Sequence, residues 1–130
     1  MAITWDANTH FIYFSADTLK AYCKINIFVD SLLIKNKMIG VIATLKIQEG
    51  KGAEFEAIAN QLVEKVNANE EGVVYYDLYK QDDTTYVFLE RYKDEAAKDA
   101  HGKTDYFRAI GAQMGAFLTA APDIKVLESV

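Results

Sequence analysis

Between Ile39 and Ile47 every second residue is apolar (Ile39, Val41, Ala43, Leu45, Ile47). The spacing then changes to threes and fours through Phe55, Ile58, Ala59, Leu62, Val63 and Val66. That switch of period, from 2 to 3.6, describes a mostly buried strand followed by the amphipathic helix that must cover it. Gly50 and Gly52 break the strand, and the pattern predicts a helix over 52–69, ended by Asn69 and Gly72. Val73 to Lys80 and Thr85 to Tyr92 are β-branched and aromatic runs on either side of Gln81-Asp82-Asp83-Thr84, which predicts an antiparallel hairpin. Asp94 is a suitable N-cap for a helix over 94–101, which Gly102 interrupts. A second helical stretch from Thr104 to Leu118 turns Phe107, Ile110, Met114, Phe117 and Leu118 inward. Pro122 forbids continuation, and Ile124, Val126 and Leu127 supply a last strand.

From Met38 the order is therefore strand, helix, strand, strand, helix, strand. It predicts an α+β, ferredoxin-like split βαβ fold: a four-stranded antiparallel sheet with its helices on one face. Within the hairpin, alternation puts Val74, Tyr76 and Leu78 on one face of the first strand, opposite Val73, Tyr75, Asp77 and Tyr79. Tyr86, Phe88, Glu90 and Tyr92 share a face of the second, so Glu90 sits on an aromatic surface. The other sheet face needs a cover, which a homodimer would provide.

Residues 1–37 differ in character, being rich in Phe, Ile, Tyr, Asn and Lys with neither Gly nor Pro. Phe11, Tyr13, Ile25, Ile27 and Val29 suggest strands, and Ser15 to Lys24 one or two helical turns. These residues read as an appendage, of the kind an upstream start codon would add, in front of a self-sufficient domain over 38–130.

Charge excludes one class of partner. Fourteen Lys and Arg stand against 19 Asp and Glu, a net charge of -5, which leaves no basic face to neutralise nucleic-acid phosphates. No apolar run approaches the ~20 residues that cross a bilayer, and the first residues lack the basic start of a signal peptide. Cys23 is the only cysteine, read as a small buried hydrophobe, and with it the expected compartment is the cytoplasm. Two histidines and scattered carboxylates make no metal signature, and no dinucleotide or phosphate-binding glycine motif occurs. Gly111 and Gly115 fall on a helical pattern and read as close-packing positions. His10, in the leader, reads as a surface histidine.

The candidate chemistry lies between Phe88 and Phe107. Glu90 and Tyr92 leave the sheet, and His101 ends the helix that follows. Imidazole exchanges protons near neutral pH, and a neighbouring carboxylate can orient it. The spacing equally fits a His101 that caps a helix C-terminus and a Glu90 that pairs with Arg91 or Arg108.

Ile39-Gly40-Val41-Ile42-Ala43 with Gly50-Lys51 and Phe55, Gly72 with Tyr76-Asp77-Leu78-Tyr79, and above all Glu90-x-Tyr92-x-Asp94-x-x-Ala97-x-x-x-His101 form a recognisable set. On these residues the chain from Met38 onward resembles the antibiotic biosynthesis monooxygenase (ABM) family of dimeric alpha-beta barrel proteins. The resemblance implies a cofactor-independent monooxygenase that oxidises a small aromatic, quinol- or phenol-type substrate with O2, using neither flavin nor metal. His101 would be the base and Glu90 its orienter or a pocket acid. Tyr92, Phe88 and Tyr106 would be aromatic walls, and Tyr76 a hydrogen-bonding contact. Tyr92 stands where the family often has Trp, and Tyr106 where it often has a second histidine. Gly40 to Leu45 lacks the Asn of haem-degrading relatives, which disfavours haem. Two other readings use the same corner. One is a proton-transfer isomerase on a small phosphorylated sugar-like signal of the autoinducer-2 type, which the Tyr-Lys-Asp-Glu run at 92 to 95 resembles as well. The other is a non-catalytic small-molecule-binding dimer.

Overall fold

The computed structural model describes Ala2–Thr4, Ile12–Phe14 and residues 36–130. It divides the chain into two compact units, Met1–Lys35 and Asn36–Val130. In the first, β1 (Ala2–Thr4) pairs antiparallel with β2 (Ile12–Phe14), matching Ile3 with Tyr13. Phe11, His10, Cys23, the helical turns expected over Ser15 to Lys24 and the strand residues Ile25, Ile27 and Val29 lie outside the described residues.

The second unit runs β3 (Ile39–Lys46), α1 (Gly52–Asn69), β4 (Val73–Asp82), β5 (Thr85–Tyr92), α2 (Glu95–Lys103), α3 (Asp105–Gly115) and β6 (Asp123–Glu128). Its four strands order β4-β5-β3-β6, every neighbour antiparallel, which is the ferredoxin-like plan. Alternation in β3 buries Ile39, Val41, Ala43 and Leu45 under the helices, continuing to Ile47 just past the strand. Gly50, at φ 77°, makes the left-handed turn into α1 that a side chain would strain. The stripe Phe55, Ala59, Leu62 and Val66 is wholly inaccessible and packs with Tyr86 and Leu45.

The helix boundaries correct one expectation. Gly102 does not interrupt α2, which runs through it to Lys103, and the break comes at Thr104. The Thr104 side chain accepts from the Phe107 amide at 3.3 Å, so it N-caps α3, as Asp94 caps α2 through the Ala97 amide at 2.8 Å. A capping side chain ends one helix and starts the next more firmly than an exposed glycine does. Helix α3 stops at Gly115, and Leu118 then bridges to Ile47.

The hairpin corrects another. A register shift between Val73 and Tyr75 makes Val73, paired with Tyr92, pack inward against Tyr92, Ile39 and Val41. Val74 is the outward residue instead, 52% exposed. The bulge is what strict alternation cannot foresee. It leaves Tyr76 opposite Glu90 and Leu78 opposite Phe88 on the helix-covered face. The other face carries half-buried Ile42, Val87 and Leu89 with exposed Tyr75, Tyr79 and Leu127. None of the helices among the described residues is long and apolar enough to cross a membrane.

Candidate functional site

Beneath α2 and α3 the helix layer does not fill the space over β3 and β6. A cavity of about 440 Å³ remains, walled by Val41, Ala43, Phe88, Tyr92, Met114 and Leu118 among others. Ile124 and Val126 of edge strand β6 line it too, yet are 59% and 52% exposed, so the cavity opens along that edge. Gly102, Gly111 and Gly115 also line it, and a Cβ built on any of the three would meet nothing within 4 Å. Gly111 and Gly115 therefore do not serve close packing. They leave space that a side chain would occupy.

Glu90, Tyr92, Phe88, Tyr76 and His101 come together in this cavity. Strand β5 brings Phe88, Glu90 and Tyr92 by alternation, β4 brings Tyr76 opposite Glu90, and the last turn of α2 brings His101. The His101 ring sits among Phe107, Tyr76 and Tyr92, with centroids 4.5, 5.1 and 5.6 Å away. Glu90 does not orient it through a hydrogen bond. Its Oε2 accepts from the Tyr92 hydroxyl at 2.6 Å, and neither Arg91 nor Arg108 is its partner.

The partner of His101 is Glu70, which closes α1 at its C-terminus. Its two carboxylate oxygens lie 3.0 and 3.1 Å from Nδ1. Tyr106 is not a cavity wall. It stands behind this pair and donates its hydroxyl to Glu70 Oε1 at 2.5 Å. Nothing local in the sequence ties Glu70 to His101, but one signal was available. A carboxylate at a helix C-terminus opposes the helix dipole, so its presence there asks for another reason.

Gly72 sets how closely α2 approaches. A Cβ there would lie 2.5 Å from the Cβ of Ala97. Only glycine lets the helix that carries His101 settle against the start of β4.

The remaining His101 nitrogen, Nε2, is buried and has no hydrogen-bond partner among the described residues. The neighbouring tyrosines stay protonated. Burial pushes the Tyr76 and Tyr92 phenols far above the ordinary tyrosine range, with the Glu90 carboxylate adding to both. Tyr106 is pushed up to about 12, by burial and then by its bond to Glu70. Burial also raises the Glu90 carboxyl, against the opposing pull of Tyr92 and His101 and with some help from Glu70. Among the described residues that line the cavity Lys98 is the only cation, and it is paired with Glu95. Among the described residues, no cluster of three His, Cys, Asp or Glu side chains gathers as a metal set.

The sequence and the fold have recognisable relatives. "Putative monooxygenase YcnE" of Bacillus subtilis (strain 168) is 37% identical over 89 residues, which are 67% of this chain and 93% of that protein. The crystal structure of a "putative antibiotic biosynthesis monooxygenase" from Caulobacter crescentus CB15 superposes with a TM-score of 0.69 at 44% identity, covering 78% of this chain and 98% of that one. SnoaB, a cofactor-independent oxygenase from Streptomyces nogalater, shares the fold with a TM-score of 0.63 at 17% identity over 71% of this chain and 92% of its own. The family model for antibiotic biosynthesis monooxygenase matches residues 38–113, from the first residue before β3 to the interior of α3. By this match and by the Bacillus relative, the chain belongs to the antibiotic biosynthesis monooxygenase family.

Proposed function

We propose that the cavity takes a small aromatic hydroxyl compound, a phenol or quinol, and that the protein oxidises it with O2 by a cofactor-independent route. The observation that carries this reading is the conjunction of an apolar cavity with one unpartnered nitrogen, His101 Nε2. A buried polar atom without a partner costs about 1 to 3 kcal/mol, which a ligand O–H recovers by donating to it. About 440 Å³ suits one or two fused rings. A phosphorylated sugar would instead need unpaired cations, and the one cation in the wall among the described residues, Lys98, is already bound to Glu95.

In the proposed sequence His101 Nε2 takes the hydroxyl proton. The electron-rich anion passes one electron to O2, giving an aryloxyl radical and superoxide, which combine at a ring carbon as a peroxide. The peroxide takes the proton from His101 and becomes a hydroperoxide. Loss of the ring C–H proton and cleavage of the O–O bond then release water and leave a carbonyl. Phenol plus O2 becomes quinone plus water. Tyr92 and Tyr76, kept neutral, serve as walls and hydrogen-bond donors, and Glu90 is a pocket acid.

An oxygen electrode tests this with a panel of naphthols and hydroquinones. Uptake above the spontaneous rate is expected, and His101→Ala should lower kcat by about two orders of magnitude or more. Uptake that ignores the substitution contradicts the assignment, and turnover without O2 would favour an isomerase. The exposed Tyr75, Tyr79 and Leu127 on the second sheet face support a homodimer, which light scattering would show as twice the chain mass. Residues 38–130 are proposed to suffice as a domain, and a chain starting at Met38 that fails to fold would refute that.

A further inference from the structure

We infer that Glu70, steadied by Tyr106, is a positioning residue for His101: it holds the hydrogen on Nδ1 and so leaves Nε2 with the free lone pair that the cavity uses. The inference rests on the proposed reading of His101 as the base, and it adds a residue from a different element to that site.

Three observations converge on it. Both Glu70 oxygens are within 3.1 Å of Nδ1, so the carboxylate accepts a shared hydrogen along one direction and fixes the ring's rotation as well as its tautomer. Tyr106 donates to Glu70 Oε1 at 2.5 Å, which gives the carboxylate a second partner besides His101 and restricts its motion. Glu70 lies outside the cavity wall, whereas the rings packed on His101 (Tyr76, Tyr92 and Phe107) all belong to it. Nδ1 thus faces away from the cavity, leaving the partnerless nitrogen, Nε2, on the opposite side of the ring.

The chemical consequence is specific. A neutral imidazole in water favours the hydrogen on the other nitrogen, and in that form the cavity would meet a donor and not a base. Glu70 reverses the preference. When Nε2 accepts a substrate proton, the resulting imidazolium lies against a carboxylate, so a positive charge forms in an apolar region beside its compensating negative one. Among the described residues, the titratable groups Glu90, Tyr76, Tyr92 and Lys98 share the cavity with the ring, and none of them hydrogen-bonds Nδ1.

Nitrogen NMR of histidine-labelled protein tests this without any substrate. The His101 signal is assigned by its loss in His101→Ala. The full chain should show neutral His101 predominantly with the hydrogen on Nδ1, and Glu70→Gln should shift it towards the Nε2-protonated form. Tyr106→Phe should keep the tautomer and broaden the signal. With naphthohydroquinone as probe, Glu70→Gln should lower kcat by roughly tenfold while KM changes little, a smaller loss than removing the base itself. A wild-type His101 carrying its hydrogen on Nε2, or a spectrum unchanged by Glu70→Gln, would overturn the inference. Should Glu70→Gln fail to fold, the wild-type tautomer alone decides. An inactive protein would refute the oxygenase reading and leave these spectra as they are, so the two fail separately.

Discussion

The helix layer covers the sheet in two unlike ways. Over β4 and β5, α1 presents Phe55, Ala59, Leu62 and Val66, all fully inaccessible, against Tyr86 and its neighbours. Over β3 and β6, α2 and α3 present His101, Gly102, Gly111 and Gly115 to an open cavity. The same strands serve both ends: Ala43 and Leu45 belong to the packed core and to the cavity wall alike. One end of the sandwich supplies the packing that holds the fold, and the other is free to leave a void, place a glycine where a methyl would fit and keep a nitrogen unpaired. A cavity of this size survives because the filled end supports the same sheet.

Substitutions can separate the two ends. Leu62→Ala, in the filled half, should cost about 2 to 5 kcal/mol, measured by denaturant unfolding, because the surrounding close packing cannot collapse into the gap. Gly72→Ala acts at the junction. Forcing its Cβ against Ala97 should cost about 1 to 3 kcal/mol and displace α2. It should also reduce oxygen uptake, because His101 moves with that helix. Gly111→Ala, at the open end, should have the opposite sign. Its Cβ enters empty space within a helix, so stability should rise by up to about 1 kcal/mol. A loss comparable to that of Leu62→Ala would show that the cavity is closed in solution.

The smallest effect concerns pH. Burial raises the native Glu90 carboxyl above its ordinary value of 4.5, so its contribution to stability is full below that value and is lost as pH rises through the native one. Glu90→Gln mimics the protonated form. It should be more stable than wild type near neutral pH, with the gap closing on acidification. Thermal melts along a pH series check this, and a gap that widens at low pH would reverse the assigned direction.

Periodicity carried most of the fold. The limits of α1 and the alternation in β3 follow from spacing, because burial there repeats without interruption. The bulge at Val73 to Tyr75 was not legible, since no glycine marks it and the shift is set by pairing with β5. The site was legible in part. His101, Glu90, Tyr92, Phe88 and Tyr76 share a cavity because strand alternation and one helical turn place them there. Glu70 and the altered place of Tyr106 were not, because their link to His101 joins the end of α1 to α2 and α3 across the fold. The cavity itself was hidden because glycines on an amphipathic helix look the same whether they meet a neighbour or open space.

The proposed recognition of an aromatic hydroxyl by the free His101 nitrogen predicts that ligands differing only in that hydroxyl are told apart. Binding of naphthol and of its methyl ether, measured by calorimetry for wild type and His101→Ala, tests it most directly. The two ligands share the ring system, and only naphthol can donate to Nε2. Wild type should bind naphthol more tightly by about 1 to 3 kcal/mol, and that advantage should disappear in His101→Ala. Equal affinity for the two ligands in wild type, or an advantage that survives the substitution, would contradict the account.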